Sequence, residues 1–241
     1  MLRSVGSARV KKLNRCFMQQ NVGKQDSFGV MQESFVRQAV NAGIVTEILY
    51  VSDCPIPFEK KTQVTPEVME FITFGKETSI AAICRRTKVP LPSGDMHRIL
   101  MLDHVIFPTN IGRIFYLAYS FGIDAIYVSE GDDMDYYKWK ITESSHGTSF
   151  YLPVIPTSLP EKVRELREQG FYCVGTSLHD AVPLSEVPSA DKMVFVVGNE
   201  RDGVSEEVLR ETDVRCRIEM ENYDSLNVSI ATGIVLYHFR R

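Results

Sequence analysis

No cysteine pair in this chain stands at metal-ligand spacing: Cys16, Cys54, Cys84, Cys173 and Cys216 are scattered, without a CxxC and without a neighbouring histidine at ligating distance. Neither a zinc site nor a disulfide framework is expected, and a reducing, cytoplasmic compartment is the economical reading. No apolar run reaches the ~18 residues of a membrane span, and the N-terminus lacks the apolar core of a secretory signal, so no membrane partner is expected. The two common nucleotide-phosphate fingerprints, GxGxxG and GxxxxGK followed by Ser or Thr, are missing as well. A nucleotide-like ligand therefore has to be held by backbone loops in some other way. The five histidines, His97, His104, His146, His179 and His238, are dispersed, which leaves a histidine-based triad with little support.

What is present is an ordinary globular composition of 241 residues, 44% hydrophobic and 24% charged, with a net charge of -4. Such a chain can bury a core without covalent staples and fills one large or two modest domains. Its charge is uneven. From Met1 to Gln25 there are Arg3, Arg9, Lys11, Lys12, Arg15 and Lys24 and no acidic residue. A solvated basic helix, an arm that meets phosphates and an organellar transit peptide all fit that segment.

SFGVMQESFVRQAVNAGIVTEILYVSD reads as strand, helix, strand, with Phe35, Val36, Ala39 and Val40 at helical spacing. A further helix is predicted over TPEVMEFITF, with Thr65 as N-cap and Pro66 at the first helical position. TSIAAICRR supplies another strand, and RTKVPLPSGDMH marks a linker near residues 87–97. Beyond it RILMLD, DAIYVSE, SFYLPVI, GFYCVGT, MVFVVGN and VRCRIEM read as strands separated by helical segments such as TNIGRIFYLAYSFG and SLPEKVRELREQG. Near-continuous apolar strands alternating with helices predict an α/β fold with a mainly parallel sheet covered by helices on both faces. A smaller α/β domain over residues 1–90 is expected to precede a larger one over residues 97–241.

Sites in such sheets lie beyond the carboxyl ends of the strands. Three loops there are chemically unusual. In DHVIFPTNIGRIF, Asn110 can cap a helix and Gly112 allows close approach; in MVFVVGNERDGVS, Gly198 and Gly203 bracket Asn199, Glu200, Arg201 and Asp202. In MENYDSLNVSIATGIVLYHFRR, Asp224 or Ser225 can cap a helix whose first turn carries Asn227, kept slim by Ser229, Ala231 and Gly233. Singly, each feature is explained as a cap or a turn.

Together and in this order they carry more. VVGNERDGVS followed by IEMENYDSLNVSIATGIVLY resembles the last two motifs of the SpoU (TrmH-like) family of RNA ribose 2'-O-methyltransferases, in the SPOUT superfamily, and PTNIGRIFYLAYSFGIDAIYVS resembles the first. The resemblance runs from about His97 to Arg241, while residues 25–90 more loosely resemble an L30e-like RNA-binding domain. It implies a deep trefoil knot, S-adenosylmethionine held among the knot loops, tRNA or rRNA as substrate, and a homodimer that completes the site. Carried over residue by residue, Gly198, Ile218 and Leu226 are where the backbone meets the cofactor, with Thr176 close by. Asn110, Glu200, Ser225 and Asn227 stand at the polar active-site positions, and no metal is implied.

Two positions depart from the family pattern. Its first motif runs Asn-x-Gly-x-Ile-x-Arg, the arginine activating the ribose hydroxyl, and here Tyr116 takes that place. In YYKWKITESSHGTSFYLP, Lys140, Ser145 and Gly147 match a family segment, but Glu143 replaces its arginine. Two readings follow: an enzyme that has moved its base, with Arg113 one helical turn before Tyr116 reaching the same space, or a relative that binds cofactor or RNA without catalysis. An unrelated α/β metabolic enzyme would require the triple motif to match by chance.

Overall fold

Residues 1–18 of the basic N-terminal segment fold as part of the first of two units. In the computed structural model, which describes residues 1–18, 26–131, 134–222 and 225–240, Ser7 accepts a hydrogen bond from the Val10 amide at 3.2 Å and starts α1 (Ala8–Phe17). Lys24 and Asp224, named above for their chemistry, lie outside the described residues. The chain divides into two units, Met1–Thr87 with Asp133–Phe150, and Lys88–Asp132 with Tyr151–Arg241.

The first unit continues through β1 (Ser27–Met31), α2 (Glu33–Asn41), β2 (Val45–Tyr50), β3 (Lys61–Gln63), α3 (Pro66–Ile72) and β4 (Ile80–Arg85). Its sheet order is β1-β4-β2-β3, with β4 antiparallel to β1 and β2, and β3 parallel to β2. β1 and β2 therefore run the same way, as a strand–helix–strand unit requires, with β4 inserted between them. Thr65 caps α3 through the Val68 amide at 3.4 Å, and Pro66, which has no amide hydrogen to leave unpaired, opens the helix. α1 buries Val10, Leu13 and Phe17, and the Phe17 ring occupies the space over Gly29 that any side chain there would need. Arg9 leaves this basic face to bind the buried Glu47, which also takes hydrogen bonds from Thr62 at 2.6 Å and Lys60 at 3.1 Å. Burial alone would raise the Glu47 pKa, but the hydrogen bonds from Thr62 and Lys60 and the Arg9 charge outweigh it and lower it.

The second unit opens with β5 (Arg98–Asp103), α4 (Pro108–Ser120) and β6 (Ala125–Ser129). The chain then contributes α5 (Trp139–Ser144) and a 3-10 turn over Thr148–Phe150 to the first unit, although the sequence reading assigns these residues to the second domain. Aromatic packing is the reason: Trp139 meets Phe35 edge-on at 5.2 Å, and Tyr137 lies 4.7 Å from Phe28. Glu143 pairs with Lys140 at 2.9 Å along α5, and Ser145 is buried with its hydroxyl on the Thr142 carbonyl at 3.1 Å. This segment is a packed element and not a free surface loop. A strand expected over SFYLPVI begins only at Val154, because the preceding turn is tightened into the 3-10 form.

β7 (Val154–Thr157), α6 (Leu159–Glu168), β8 (Tyr172–Thr176), β9 (Val182–Pro183), β10 (Met193–Gly198), α7 (Glu206–Leu209), β11 (Val214–Arg217) and α8 (Val228–His238) complete the unit. The seven strands pair in parallel in the order β7-β6-β5-β10-β8-β11-β9. Alternate residues of each strand point to opposite faces. Ile99, Met101, Tyr127, Cys173, Val194 and Val196 pack with Leu159, Val163 and Leu166 of α6 and Val208 and Leu209 of α7. On the other face α4 and α8 pack together, and Phe195 stacks on Phe239 at 5.3 Å. Each fully buried aliphatic or aromatic side chain in these layers contributes about 1.5–3 kcal/mol. The predicted parallel sheet with helices on both faces is what the chain forms. The register Gly198↔Asp103 brings β10 and β5 to an end together, and the loops that follow share one edge.

Candidate active site

At that edge the loop after β10 closes on itself. The Asn199 side-chain oxygen accepts from the Arg201 and Asp202 amides, both at 2.8 Å, while the Gly203 amide donates to the Asn199 carbonyl at 3.1 Å. Gly203, at φ +72°, takes the left-handed turn that brings the chain back against Gly198. A Cβ on Gly198 would collide with the backbone of Gly203 and Val204. The glycine is thus demanded by the loop's own return, a reason closer at hand than the ligand approach suggested by the sequence.

Three side chains from three separate segments meet beside this loop. Asn227 is itself the N-cap of α8: its Oδ1 accepts from the Ser229 amide at 3.0 Å and from the Ser229 hydroxyl at 2.6 Å. This corrects the expectation that Asp224 or Ser225 caps the helix and Asn227 sits in its first turn. With Oδ1 so used, Asn227 Nδ2 donates to Asn110 Oδ1 at 3.2 Å, and Asn110 Nδ2 donates to the Glu200 carboxylate. Asn110 is likewise not a cap. α4 begins at Pro108 after Phe107 with no side-chain cap, and Asn110 lies buried in the first turn, its amide turned to these two partners. The direction of every bond follows from the Ser229 amide, which can only donate.

Next to this relay is a cavity of about 570 Å³, within the size range of small-molecule sites. Thr176, Gly198, Glu200, Ile218, Ser225 and Leu226, all marked out in the sequence, line it. Asn110 and Asn227 reach it through Glu200. Arg113 and Tyr116 do not line it; both are exposed, on the same side of α4 one turn apart, with Tyr116 45% accessible. Leu209, Val228 and Ala231 add apolar wall, and Thr176 Oγ1 is anchored on the Val196 carbonyl at 3.1 Å. On the rim Arg215 binds Glu206 through two hydrogen bonds at 2.7 and 3.1 Å, and these hold the Glu206 carboxyl below its usual range. Cys216 also borders the cavity, and burial pushes its thiol up to about 11, away from the thiolate form.

Asp103 was not singled out by sequence reasoning. It is 2% exposed at the end of β5, and its carboxylate accepts from the Ser205 amide at 2.7 Å and the Ser129 hydroxyl at 2.9 Å. The available signal was a charged residue ending the otherwise apolar run RILMLD. Among the described residues no cluster of histidine, cysteine and carboxylate side chains could hold a metal, and no helix is long and apolar enough to cross a membrane.

A parallel α/β sheet whose ligand cavity is built from loops at the carboxyl ends of its strands, with an oriented amide–carboxylate relay beside it, defines the class of protein. The family model described as SpoU rRNA Methylase matches residues 97–237, more than half of the chain, and the chain belongs to that family. Over its full length it is similar to the 23S rRNA (guanosine(2553)-2'-O)-methyltransferase RlmP of Bacillus subtilis, 29% identical with 99% of this chain and 98% of that protein covered. Its fold matches the crystal structure of an rRNA methyltransferase from Sinorhizobium meliloti with a TM-score of 0.85 at 23% identity, covering 98% of this chain and 95% of that one. It also matches the SpoU methyltransferase AviRb from Streptomyces viridochromogenes in complex with AdoMet, with a TM-score of 0.81 at 22% identity and 96% of each chain covered.

Because the Gly198 contact is backbone on backbone, Gly198→Ala is expected to push the loop open by breaking the Asn199–Gly203 closure, at a cost of about 1–3 kcal/mol. Calorimetric titration should then show affinity for S-adenosylmethionine reduced by about tenfold or more, with the circular dichroism of the sheet kept. Unchanged affinity would separate this loop from the ligand site.

Proposed function

We infer that the protein transfers a methyl group from S-adenosylmethionine to a ribose 2'-hydroxyl of RNA. Membership of the SpoU family, together with a cavity bordered by the fixed Glu200 carboxylate, carries this reading. The full-length likeness to a 23S rRNA enzyme favours ribosomal over transfer RNA. The residues present fit the cofactor: the cavity is large enough, has apolar wall from Ile218, Leu226 and Leu209, and offers the polar Thr176 and loop backbone from Gly198 onward. Thr176, Gly198, Ile218 and Leu226 would hold it, and its sulfonium methyl supplies the electrophile.

The chain's own work is on the hydroxyl. A ribose hydroxyl is a poor nucleophile until its proton is taken or strongly polarised. Glu200, oriented by Asn110 and Asn227, is the acceptor that can hold that proton at the edge of the cavity. Ser225 also borders the cavity and supplies a second polar contact. Arg113 shares an exposed face of α4 with Tyr116, outside the cavity of its own chain, and takes over the role of the family's arginine where the second subunit of the dimer completes the site.

RNA is held in part by the first unit, which we read as L30e-like. Lys11, Lys12 and Arg15 are exposed on α1, a helix without an acidic residue. A homodimer forms through α8 and α4, where Ile230, Ile234 and Tyr237 of α8 stand outward at i, i+4 and i+7 and Tyr119 of α4 is half exposed. We also read the loops at this edge of the second unit as tied in a trefoil knot. The support is that Ile218, Met220, Ser225 and Leu226 line one cavity with the loop after β10 while α8 returns to pack on α4 and β10. A crystallographic trace running outside that loop would remove the knot. Free cysteines throughout agree with a reducing cytoplasm.

The decisive experiment is titration of S-adenosylmethionine followed, on the same sample, by tritium-methyl transfer to rRNA and tRNA. Glu200→Ala and Asn227→Ala are each expected to lower transfer by about 100-fold while the protein stays folded. Arg113→Ala should lower it similarly and Tyr116→Phe much less; the reverse order would make Tyr116 the working group. Binding without transfer to either RNA would favour the non-catalytic relative.

Reversing charge at Lys11 and Lys12 is expected to flatten the salt dependence of RNA binding by about one unit of slope per lysine. A slope equal to that of the wild type would return α1 to a solvated helix. Ile234→Glu should convert the dimer to monomer in sedimentation equilibrium; a wild-type molecular weight would move the interface elsewhere.

A further inference from the structure

A carboxylate buried to the extent of Asp103 is costly unless its lone pairs are satisfied. Asp103 meets that condition in a divided way. One oxygen is held on the sheet: Oδ1 accepts the Ser129 hydroxyl from the end of β6, and Ser129 Oγ in turn accepts the His104 amide at 3.1 Å. The other oxygen, Oδ2, accepts the Ser205 amide at 2.7 Å. Ser205 is the N-cap of α7 and the last residue of the loop that starts at Asn199 and carries Glu200.

That loop is closed on itself through the Asn199 turn and the Gly198–Gly203 contact, so its residues are tied to one another. Its first end leaves β10 at Gly198, in register with Asp103 on β5. Its far end has the Ser205 amide bond to Asp103. A segment closed in this way and attached at one end takes its angle from whatever holds the other. The angle decides two things at once: how Gly198, Glu200 and Gly203 border the cavity, and whether the Glu200 carboxylate reaches Asn110.

We propose that Asp103 is a positioning residue that latches the Asn199–Ser205 loop to the sheet and thereby sets the shape of the cofactor cavity and the place of Glu200. It touches neither ligand nor reacting atoms; it acts through Ser205. The part concerning cofactor rests on the methyltransferase reading, whereas the latch itself does not.

Two measurements on the full chain test it. In amide hydrogen exchange of the protein without ligand, Asp103→Ala is expected to speed exchange at Ser205 by about tenfold or more, with the strands of the second unit still protected. By titration calorimetry the same variant should bind S-adenosylmethionine about tenfold more weakly or worse. Asp103→Asn keeps an oxygen for the Ser205 amide and turns its NH2 toward the Ser129 hydroxyl, so both readouts should return to within about threefold of the wild type. Should the alanine variant fail to fold, Asp103→Glu replaces it: the charge stays but the longer arm displaces Ser205, and affinity should fall. Wild-type exchange at Ser205 in Asp103→Ala, wild-type affinity in the folded alanine or glutamate variant, or an asparagine variant as weak as alanine would each overturn the proposal. If the wild-type protein itself takes up no S-adenosylmethionine, the methyltransferase reading falls, while Ser205 exchange still decides the latch.

Discussion

One side chain, Asn227, is committed at both ends, and much of the site depends on it. Its oxygen completes the first turn of α8, where unpaired amides at a helix start need an acceptor. That commitment leaves only the NH2 to face inward. Asn110 must then present its oxygen to Asn227 and its NH2 to Glu200, so a local need of helix geometry orients a carboxylate 27 positions back along the chain. Neither asparagine could be replaced by aspartate without setting an acceptor against an acceptor. The same bonds tie together the start of α4, the loop after β10 and the start of α8, three segments that sequence distance alone would never join.

The sheet makes this meeting possible. Because all seven strands run one way, every loop that follows a strand emerges on the same edge, and the central pair β5 and β10 end in register. Helices on both faces exclude water from the strands but leave that edge open. Residues at that edge are free to be polar, and they are: Thr176 ends β8, and Asn199, Glu200 and Ser225 lie in the loops beyond the strands. The apolar layers supply stability, and the loops can be specialised without disturbing it.

How much of this could be read from the residues depends on how local its cause is. Thr65 and Pro66 mark the start of α3 because a cap and its amide partner are three residues apart. The period of the apolar residues marks β5, β6, β8 and β10 for the same reason. The start of α8 was misread because Ser225 and Asn227 carry the same chemistry, and only the Ser229 amide chooses between them. β3 and β9 are too short to show a period. Trp139 and Tyr137 gave no sign of their partners, Phe35 and Phe28, about a hundred residues away. The site residues were recognisable as a motif, but their wiring was not: that Asn110 points to Glu200, that Gly198 answers to Gly203, and that Asp103 holds Ser205 are long-range facts of packing.

The return of residues 133–150 to the first unit means that neither unit is continuous along the chain. During synthesis the first unit cannot finish when its first 87 residues have emerged, because Trp139, Ile141 and Phe150 have yet to be made. By the time those residues emerge, β5, α4 and β6 are already outside the ribosome, waiting for β10 and β7 to flank them. The two halves of this protein are therefore interleaved in time: each must hold an unfinished core while the other is extended, and neither could have been acquired or lost by a single cut in a gene.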